Sequence, residues 1–500
     1  MFTPGTILKL LQGVDIDNDY ANTLTFPDAT TQAAFFISKA WSSFTDFTYM
    51  RKEQTVLVPA NIEALWCVSY MMFKNANLGD KWFYAFITDM TWKNDSVTEI
   101  SFEIDVMQTW MFEIEYKDCY VEREHVSNDT VGLHLVEENL NVGEYVIKAS
   151  DTVAEITALS IIVSTTVDDL GADVEGIMYT HVYSGNAYLS YTSRDDVNAL
   201  IDYLSTTGKA DAINNIFMMP STFAEPGESA FVSRPERKLI DKTVTKNLYD
   251  LDGYVPKNNK LFTYPYNFLV VSNNHGESNI YKYEMSSDSQ MVFYVSCDLA
   301  PSPTVFLIPR FYKGLTNYEE TMRLTGYPLC NWSTDIYKIW MAQNAVSHVT
   351  GAVGMGISLG VGVATLNPVA ISSGLLGVAN SIGQFYEKSI LPNPSHGSAS
   401  GSGNVSQGIQ NFSFYKKTIR SEFARIIDNF FDRFGYKVNE LKTPSIKTRL
   451  NWNYLKTLEC NISGNIPNKD LRKIHEILTN GVTFWHNDNV GNYNRANPTI

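Results

Sequence analysis

Residues 81–126 read KWFYAFITDMTWKNDSVTEISFEIDVMQTWMFEIEYKDCYVEREHV, and they decide the fold class. Between Lys81 and Trp92 large residues alternate over both faces, and Lys93, Asn94 and Asp95 then supply turn chemistry. Beyond the turn, Ile100, Phe102, Ile104 and Val106 share one face while Ser101, Glu103 and Asp105 share the other. A period of two marks a strand covered on one side, so the pair predicts a long antiparallel hairpin. Glu103 and Asp105 are then expected on a solvated strand face. Working outward, EYVIKAS (144–150), EITALSIIVSTTV (155–167), YNFLVVS (266–272), QMVFYVSCDL (290–299) and PTVFLIPRFY (303–312) repeat the strand pattern. No fixed repeat period joins them, which argues against solenoids and propellers. An aromatic content of 13%, with 28 Tyr and 27 Phe, suits half-buried pleated surfaces. The expected class is mainly β, in antiparallel barrel or sandwich domains with a few helices.

Three helices are well punctuated. Ser193 precedes RDDVNALIDYL with Asp196 three residues on, an acidic variant of the capping box, and Gly208 stops it. SEFARIIDNFFDRFG (421–435) places Phe423, Ile426, Ile427, Phe430, Phe431 and Phe434 at helical spacing, with Gly435 as the C-terminal cap. NKDLRKIHEILTNG (468–481) aligns Leu471, Ile474 and Leu478. Each apolar stripe reads as core packing against a sheet.

The chain has 500 residues, 44% hydrophobic and 19% charged, a globular balance with length for roughly three domains. Its net charge of -15 argues against a general nucleic-acid-binding surface. That charge is uneven. Residues 1–340 carry 24 basic and 45 acidic side chains, and residues 411–500 carry 14 and 8. An acidic body and a basic end would attract each other within or between subunits, although compositional drift gives the same pattern. Five cysteines (Cys67, Cys119, Cys297, Cys330 and Cys460) are scattered without a CxxC, so neither a disulfide framework nor a zinc site is indicated, and a reducing interior suits them. The first twenty residues lack the pattern of a secretory signal.

One segment departs from the globular pattern. The 48 residues from Ile339 to Tyr386 contain no Asp, Glu, Lys or Arg. Within them, two apolar arms of 18 residues (Val349–Leu366) and 17 residues (Val369–Phe385) flank a turn at Asn367 and Pro368. As helices, each arm would extend about 26 Å, close to the roughly 30 Å of a bilayer's hydrocarbon core. The residues expected to enter lipid are Val349, Val353, Met355, Ile357, Leu359, Val361, Val363, Leu366, Val369, Ile371, Leu375, Leu376, Val378, Ile382 and Phe385. Gly356 and Gly360 would allow close helix contact. The abundant glycines weaken these helices in water, whereas lipid forces the backbone to satisfy its own hydrogen bonds, so conditional insertion fits better than permanent anchoring. PNPSHGSASGSGNVSQG (392–408) follows as a flexible polar tether. A buried glycine-rich hairpin, a constitutive anchor or a disordered loop inside an oligomer would share this composition.

Catalytic motifs are missing: there is no GxSxG, HExxH or GxxxxGK. Asp15, Asp17 and Asp19 resemble the start of a calcium loop, but Tyr20 and Phe26 stand where Gly and Glu are needed, so a surface turn is expected. No cofactor, metal or catalytic residue is expected. A pair of carboxylates able to cleave glycans would leave no spacing to read.

The stretch Lys81–Val126 and the ending NISGNIPNKDLRKIHEILTNGVTFWHNDNVGNY (461–493) closely resemble the distal tail knob, or lower collar tail-tube, proteins of small short-tailed bacteriophages that prime DNA replication with a protein. The blocks FEIDVMQTWMF and GVTFWHNDNVGNY carry the resemblance. It implies a subunit of a hexameric, β-rich, ring-shaped tube at the tail tip, through which genome DNA passes without sequence-specific binding. It also implies contacts with other tail proteins, and long hydrophobic loops that plug the lumen and then perforate the host cytoplasmic membrane. Synthesis in the host cytoplasm would precede assembly into the virion. The expected divisions are 1–135 as the N-terminal part of a tube domain, 136–338 as a β-rich middle with a short helical pair near 193–219, 339–410 as hydrophobic loop and tether, and 411–500 as an α+β segment packing with the N-terminal part. Two rivals stay open: a tail-associated cell-wall hydrolase, and a pore-forming protein acting alone.

Overall fold

The computed structural model describes residues 5–45, 47, 53–76, 79–167, 177–183, 186–224, 230–232, 238–314, 319–331 and 410–500. The expected lipid-facing residues, the glycine pair Gly356 and Gly360 and the turn Asn367–Pro368 lie outside the described residues. The chain forms two compact units, Met1–Gly143 with Gly253–Pro265 and Arg420–Ile500, and Glu144–Asp252 with Tyr266–Ile419. The fold is mostly β, and among the described residues five α-helices accompany the strands.

In the first unit a six-stranded antiparallel sheet runs in the order Ala40–Thr45, Thr6–Gln12, Val68–Asn75, Phe83–Asn94, Val97–Ile104, Thr55–Val58. The hairpin read from the sequence closes with Asn94 opposite Val97, and the Asn94 side chain accepts a hydrogen bond from the Ser96 amide at 2.9 Å. Thr98, Ile100, Phe102 and Ile104 are buried on one face, which is the alternation expected of a one-sided strand.

The alternation ends one residue before Val106. Asp105 is fully buried, and its carboxylate accepts the Met107 and Gln108 amides at 3.1 Å each, capping a short helix, Val106–Trp110. The Tyr70 hydroxyl donates to the same carboxylate at 2.7 Å. Asp105 therefore does not lie on a solvated face. An aspartate can leave the strand ladder by capping the next turn, and strand periodicity does not register that choice. Glu103, partly exposed, pairs with Lys473.

A five-stranded sheet of the same unit joins both ends of the chain, in the order Asn22–Leu24, Val482–Trp485, Trp452–Glu459, Cys119–Glu124, Tyr436–Lys442. Trp452 and Trp485 are fully buried in it, their rings 5.1 Å apart. Helix Ser421–Phe434 buries Ala424, Ile427, Asp428, Phe431 and Asp432, while Ile426 of the expected stripe is 66% exposed. Two carboxylates replace apolar residues on the buried face because the segment Gly253–Pro265 supplies donors to them. Asp428 accepts from the Tyr254 hydroxyl (2.7 Å), the Lys257 amide (2.7 Å), and the Asn258 amide (3.0 Å) and side chain (2.8 Å). Gly435 ends the helix at φ +62°, where a Cβ would lie 2.2 Å from the Glu124 carbonyl oxygen. Helix Asn468–Asn480 buries Ile474, Ile477 and Leu478.

Among the described residues the second unit holds three sheets. A six-stranded one runs Ala230–Val232, Ile177–Tyr183, Asn186–Tyr191, Leu159–Thr165, Ile213–Pro220, Leu329–Asn331. Two four-stranded ones run Tyr145–Thr152, Ser413–Ile419, Asn267–Ser272, Ser278–Tyr281, and Ile240–Thr245, Gln290–Cys297, Val305–Arg310, Met322–Leu324. Tyr188, Phe217, Leu269, Phe293, Leu307 and Phe414 are central to one shared core. Helix Arg194–Thr206 starts where Ser193 accepts the Asp195 amide at 3.1 Å, and it packs Val197, Leu200, Ile201 and Leu204 on the first of these sheets. The expected second helix is reduced to a single 3-10 turn, Ala210–Ala212. The β-branched and large apolar side chains of INNIFMMP instead pair along Leu159–Thr165 as a strand.

Candidate functional site: the anchors of the apolar insert

The described chain stops at Asn331 and resumes at Gln410, both in the second unit, and the residues on either side of this break are held by one turn. That turn, Asn273–Gly276, joins the strands Asn267–Ser272 and Ser278–Tyr281. Its run of Asn-Asn-His-Gly suits positive φ, with Asn274 at +58° and Gly276 at +98°. Asn273 is 6% exposed. Its side-chain oxygen accepts the His275 and Glu277 amides, fixing the turn, and its amide donates to the Arg323 carbonyl at 2.9 Å. Asn274 donates to the Asn411 carbonyl at 2.7 Å and to the Ser413 hydroxyl at 3.0 Å. Adjacent asparagines thus hold the outgoing and the returning chain.

Further bonds lock each side. Gln410 donates to the Thr325 carbonyl at 2.9 Å, joining the two flanks directly. The Asn411 side chain makes a two-way bond with Val153, donating to its carbonyl at 2.8 Å and accepting its amide at 3.1 Å. On the outgoing side, Leu329 and Cys330 pair with Phe217 and Ile216 at the sheet edge, and the Met218 amide donates to Pro328. Beneath the rim, burial raises the Tyr327 hydroxyl above the ordinary tyrosine range and pushes the Cys297 thiol up to about 12. The sequence carried a signal for this anchor, the turn tetrad NNHG, but not the partners it reaches.

Elsewhere three perturbed groups have structural partners. Burial raises the Asp105 carboxyl to about 6, although Tyr70 and two amides favour its charged form. Burial, with Arg449 nearby, pushes His125 down to about 3, and its ring takes the Tyr454 amide on Nδ1 and gives its Nε2 proton to the Asp432 carbonyl. Lys260 is pushed down to about 7 by burial and by Arg123 and Lys437, and it donates to Glu138 and the Val136 carbonyl at 2.8 Å. Each group is committed to backbone or ion-pair partners inside the first unit. Asp15, Asp17 and Asp19 are exposed around a turn, and among the described residues no group of His, Cys, Asp or Glu could hold a metal. A cavity of about 260 Å³, lined by Ala149, Asp151, Thr243, Phe414 and Lys416 among others, contains no nucleophile paired with a base. No helix among the described residues is long and apolar enough to cross a membrane.

Comparison with known proteins agrees with this architecture. The family model for the C-terminal domain of the tail knob protein gp9 of Bacillus phage phi29 matches residues 231–498, and a model of the N-terminus of caudoviral major tail proteins matches residues 4–115. The phi29 tail knob protein gp9 is 27% identical over 590 aligned positions, covering 99% of this chain and 98% of that protein. Its counterpart in Bacillus phage B103 is 26% identical with the same coverage. The solved structure of the bacteriophage C1 tail knob protein gp12 shares the fold at 14% identity, with a TM-score of 0.60 over 99% of this chain and 100% of that one. Since the gp9 model spans more than half of its residues, this chain belongs to the phage tail knob protein family represented by gp9 of phage phi29, as a structural component of the virion tail.

Proposed function

We propose that six copies of this chain form a ring-shaped distal tail tube that conducts the genome during ejection, and that the segment Val349–Phe385 plugs the lumen and then inserts into the host cytoplasmic membrane. The observation that carries the reading is the 48-residue stretch without a charged side chain, set between flanks tied to one another at the Asn273–Asn274 turn. A segment attached in this way enters lipid without unravelling the unit that carries it, because loop-closure entropy changes slowly with loop length. The acidic body, with 45 acidic against 24 basic side chains over residues 1–340, repels DNA phosphates on average and favours passage over retention. The role is structural and non-enzymatic.

Electron microscopy of the purified chain, with and without residues 345–405, tests the assembly. The expected result is a hollow six-membered ring in both preparations. A monomer in both would remove the tube, and loss of folding on deletion would make the insert part of a core.

A further inference from the structure

Two thiols face each other at one end of the five-stranded sheet of the first unit. Cys119 opens the strand Cys119–Glu124, and Cys460 follows the strand Trp452–Glu459. The strands are antiparallel, with Tyr120 opposite Glu459. On the far side of the cysteines the Lys117 amide donates to the Asn461 carbonyl at 2.9 Å, and Tyr116 stands opposite Ile462. The register shifts by one residue between these pairs, so Asp118 and Cys119 together face Cys460 across a β-bulge, with Cys119 continuing the register of Tyr120 and Glu459. Both side chains are buried, at 4% and 9% exposure, while the adjacent Tyr120 and Glu459 are exposed. The two thiols lie close enough to act on one another. Opposed residues of antiparallel strands have Cα atoms about 4.5–5.5 Å apart, inside the roughly 4.4–6.8 Å that a disulfide spans. Of the other three cysteines, Cys297 and Cys330 belong to the second unit, and Cys67 is exposed.

We propose that Cys119 and Cys460 are a latent disulfide that forms once the tail has left the reducing interior of the cell in which it was made. The oxidant class is a small-molecule disulfide. One protein thiol, as thiolate, attacks it and expels one small thiolate, giving a mixed disulfide. The second protein thiol then loses its proton and displaces the other small thiolate, so the protein loses two hydrogens and the oxidant leaves as two thiols. In the host cytoplasm the thiol pool drives this exchange backward, and both sulfurs stay reduced. Outside it, the bond closes the chain between residues 119 and 460 and ties the N-terminal and C-terminal contributions to the unit together covalently. Burial raises the Cys460 thiol to about 12, which keeps the thiolate scarce and makes closure slow.

The test uses the full-length chain carrying Cys67→Ser, purified under reducing conditions and then held without denaturant in millimolar oxidised glutathione. Titratable thiols should fall from four to two, intact mass should drop by two hydrogens, and a proteolytic map should recover the Cys119 peptide joined to the Cys460 peptide. The guanidinium unfolding midpoint should rise on oxidation, and a second change, Cys460→Ser, should abolish both the joined peptide and that rise. Four persistent thiols, glutathione adducts without a cross-link, a bond appearing only in denaturant, or a cross-link through Cys297 or Cys330 would each overturn the proposal.

Discussion

Replacing Asp428 by Asn changes little in volume but removes a full charge and half of the acceptor capacity at the centre of the first unit. The carboxylate is fully buried and takes four hydrogen bonds, two at each oxygen. An amide keeps one oxygen, which serves the Asn258 pair, and turns its NH₂ toward the Tyr254 hydroxyl and the Lys257 amide. The hydroxyl can reverse and accept. The Lys257 N–H cannot, and is left buried against another donor. Losing a charge-assisted bond costs about 1.5–3 kcal/mol, and an unsatisfied buried donor about 1–3 kcal/mol, so the expected destabilisation is about 3–5 kcal/mol. That is a large share of the roughly 5–15 kcal/mol typical of a domain. Urea unfolding followed by tryptophan fluorescence reads this unit through buried Trp452 and Trp485. The midpoint should fall with little change in slope, and amide exchange should rise first over residues 253–265. Asn429→Ala, on the exposed side of the same helix, should move the midpoint hardly at all. A shift below about 1 kcal/mol for Asp428→Asn would refute the assignment of this carboxylate as the anchor of the segment.

Two further outcomes follow from the described sites. Asp105 holds its proton up to about pH 6 when folded but releases it near 3.8 when unfolded, so stability should decline as pH rises through that interval, and Asp105→Asn should flatten the decline in unfolding midpoints measured from pH 4 to 7. Alanine at Asn273 should speed hydrogen exchange at Arg323–Thr325, and alanine at Asn274 at Asn411–Ser413, while exchange around Trp452 stays unchanged; exchange rates equal to those of the parent chain would remove the two-handed clamp.

Much of the β architecture was legible because its strands obey simple alternation: the hairpin at residues 83–104 and the strands at 267–272, 290–297 and 305–310 follow the pattern of their side chains. Legibility failed where a polar side chain took on backbone donors. Asp105 looks like an exposed strand position and is a buried cap, and Asp428 and Asp432 look like the wet face of a helix that exposes Ile426 instead. In each case the deciding partners, Tyr70 for the first and the 254–258 segment for Asp428, lie far away in sequence. The apolar insert was conspicuous from the absence of charge alone. Its anchors were not, because the bonds of Asn273 and Asn274 reach 50 and 137 residues along the chain.

Dye release from liposomes by a peptide spanning Val349–Phe385, compared with the same peptide carrying Leu359→Asp, addresses the central proposal most directly. One carboxylate at the middle of a membrane helix costs about 2.5–3.5 kcal/mol of insertion, which corresponds to roughly a hundredfold weaker partitioning. The account predicts leakage by the parent peptide and strong suppression by the variant. Equal release by the two, or none by the parent, would contradict it.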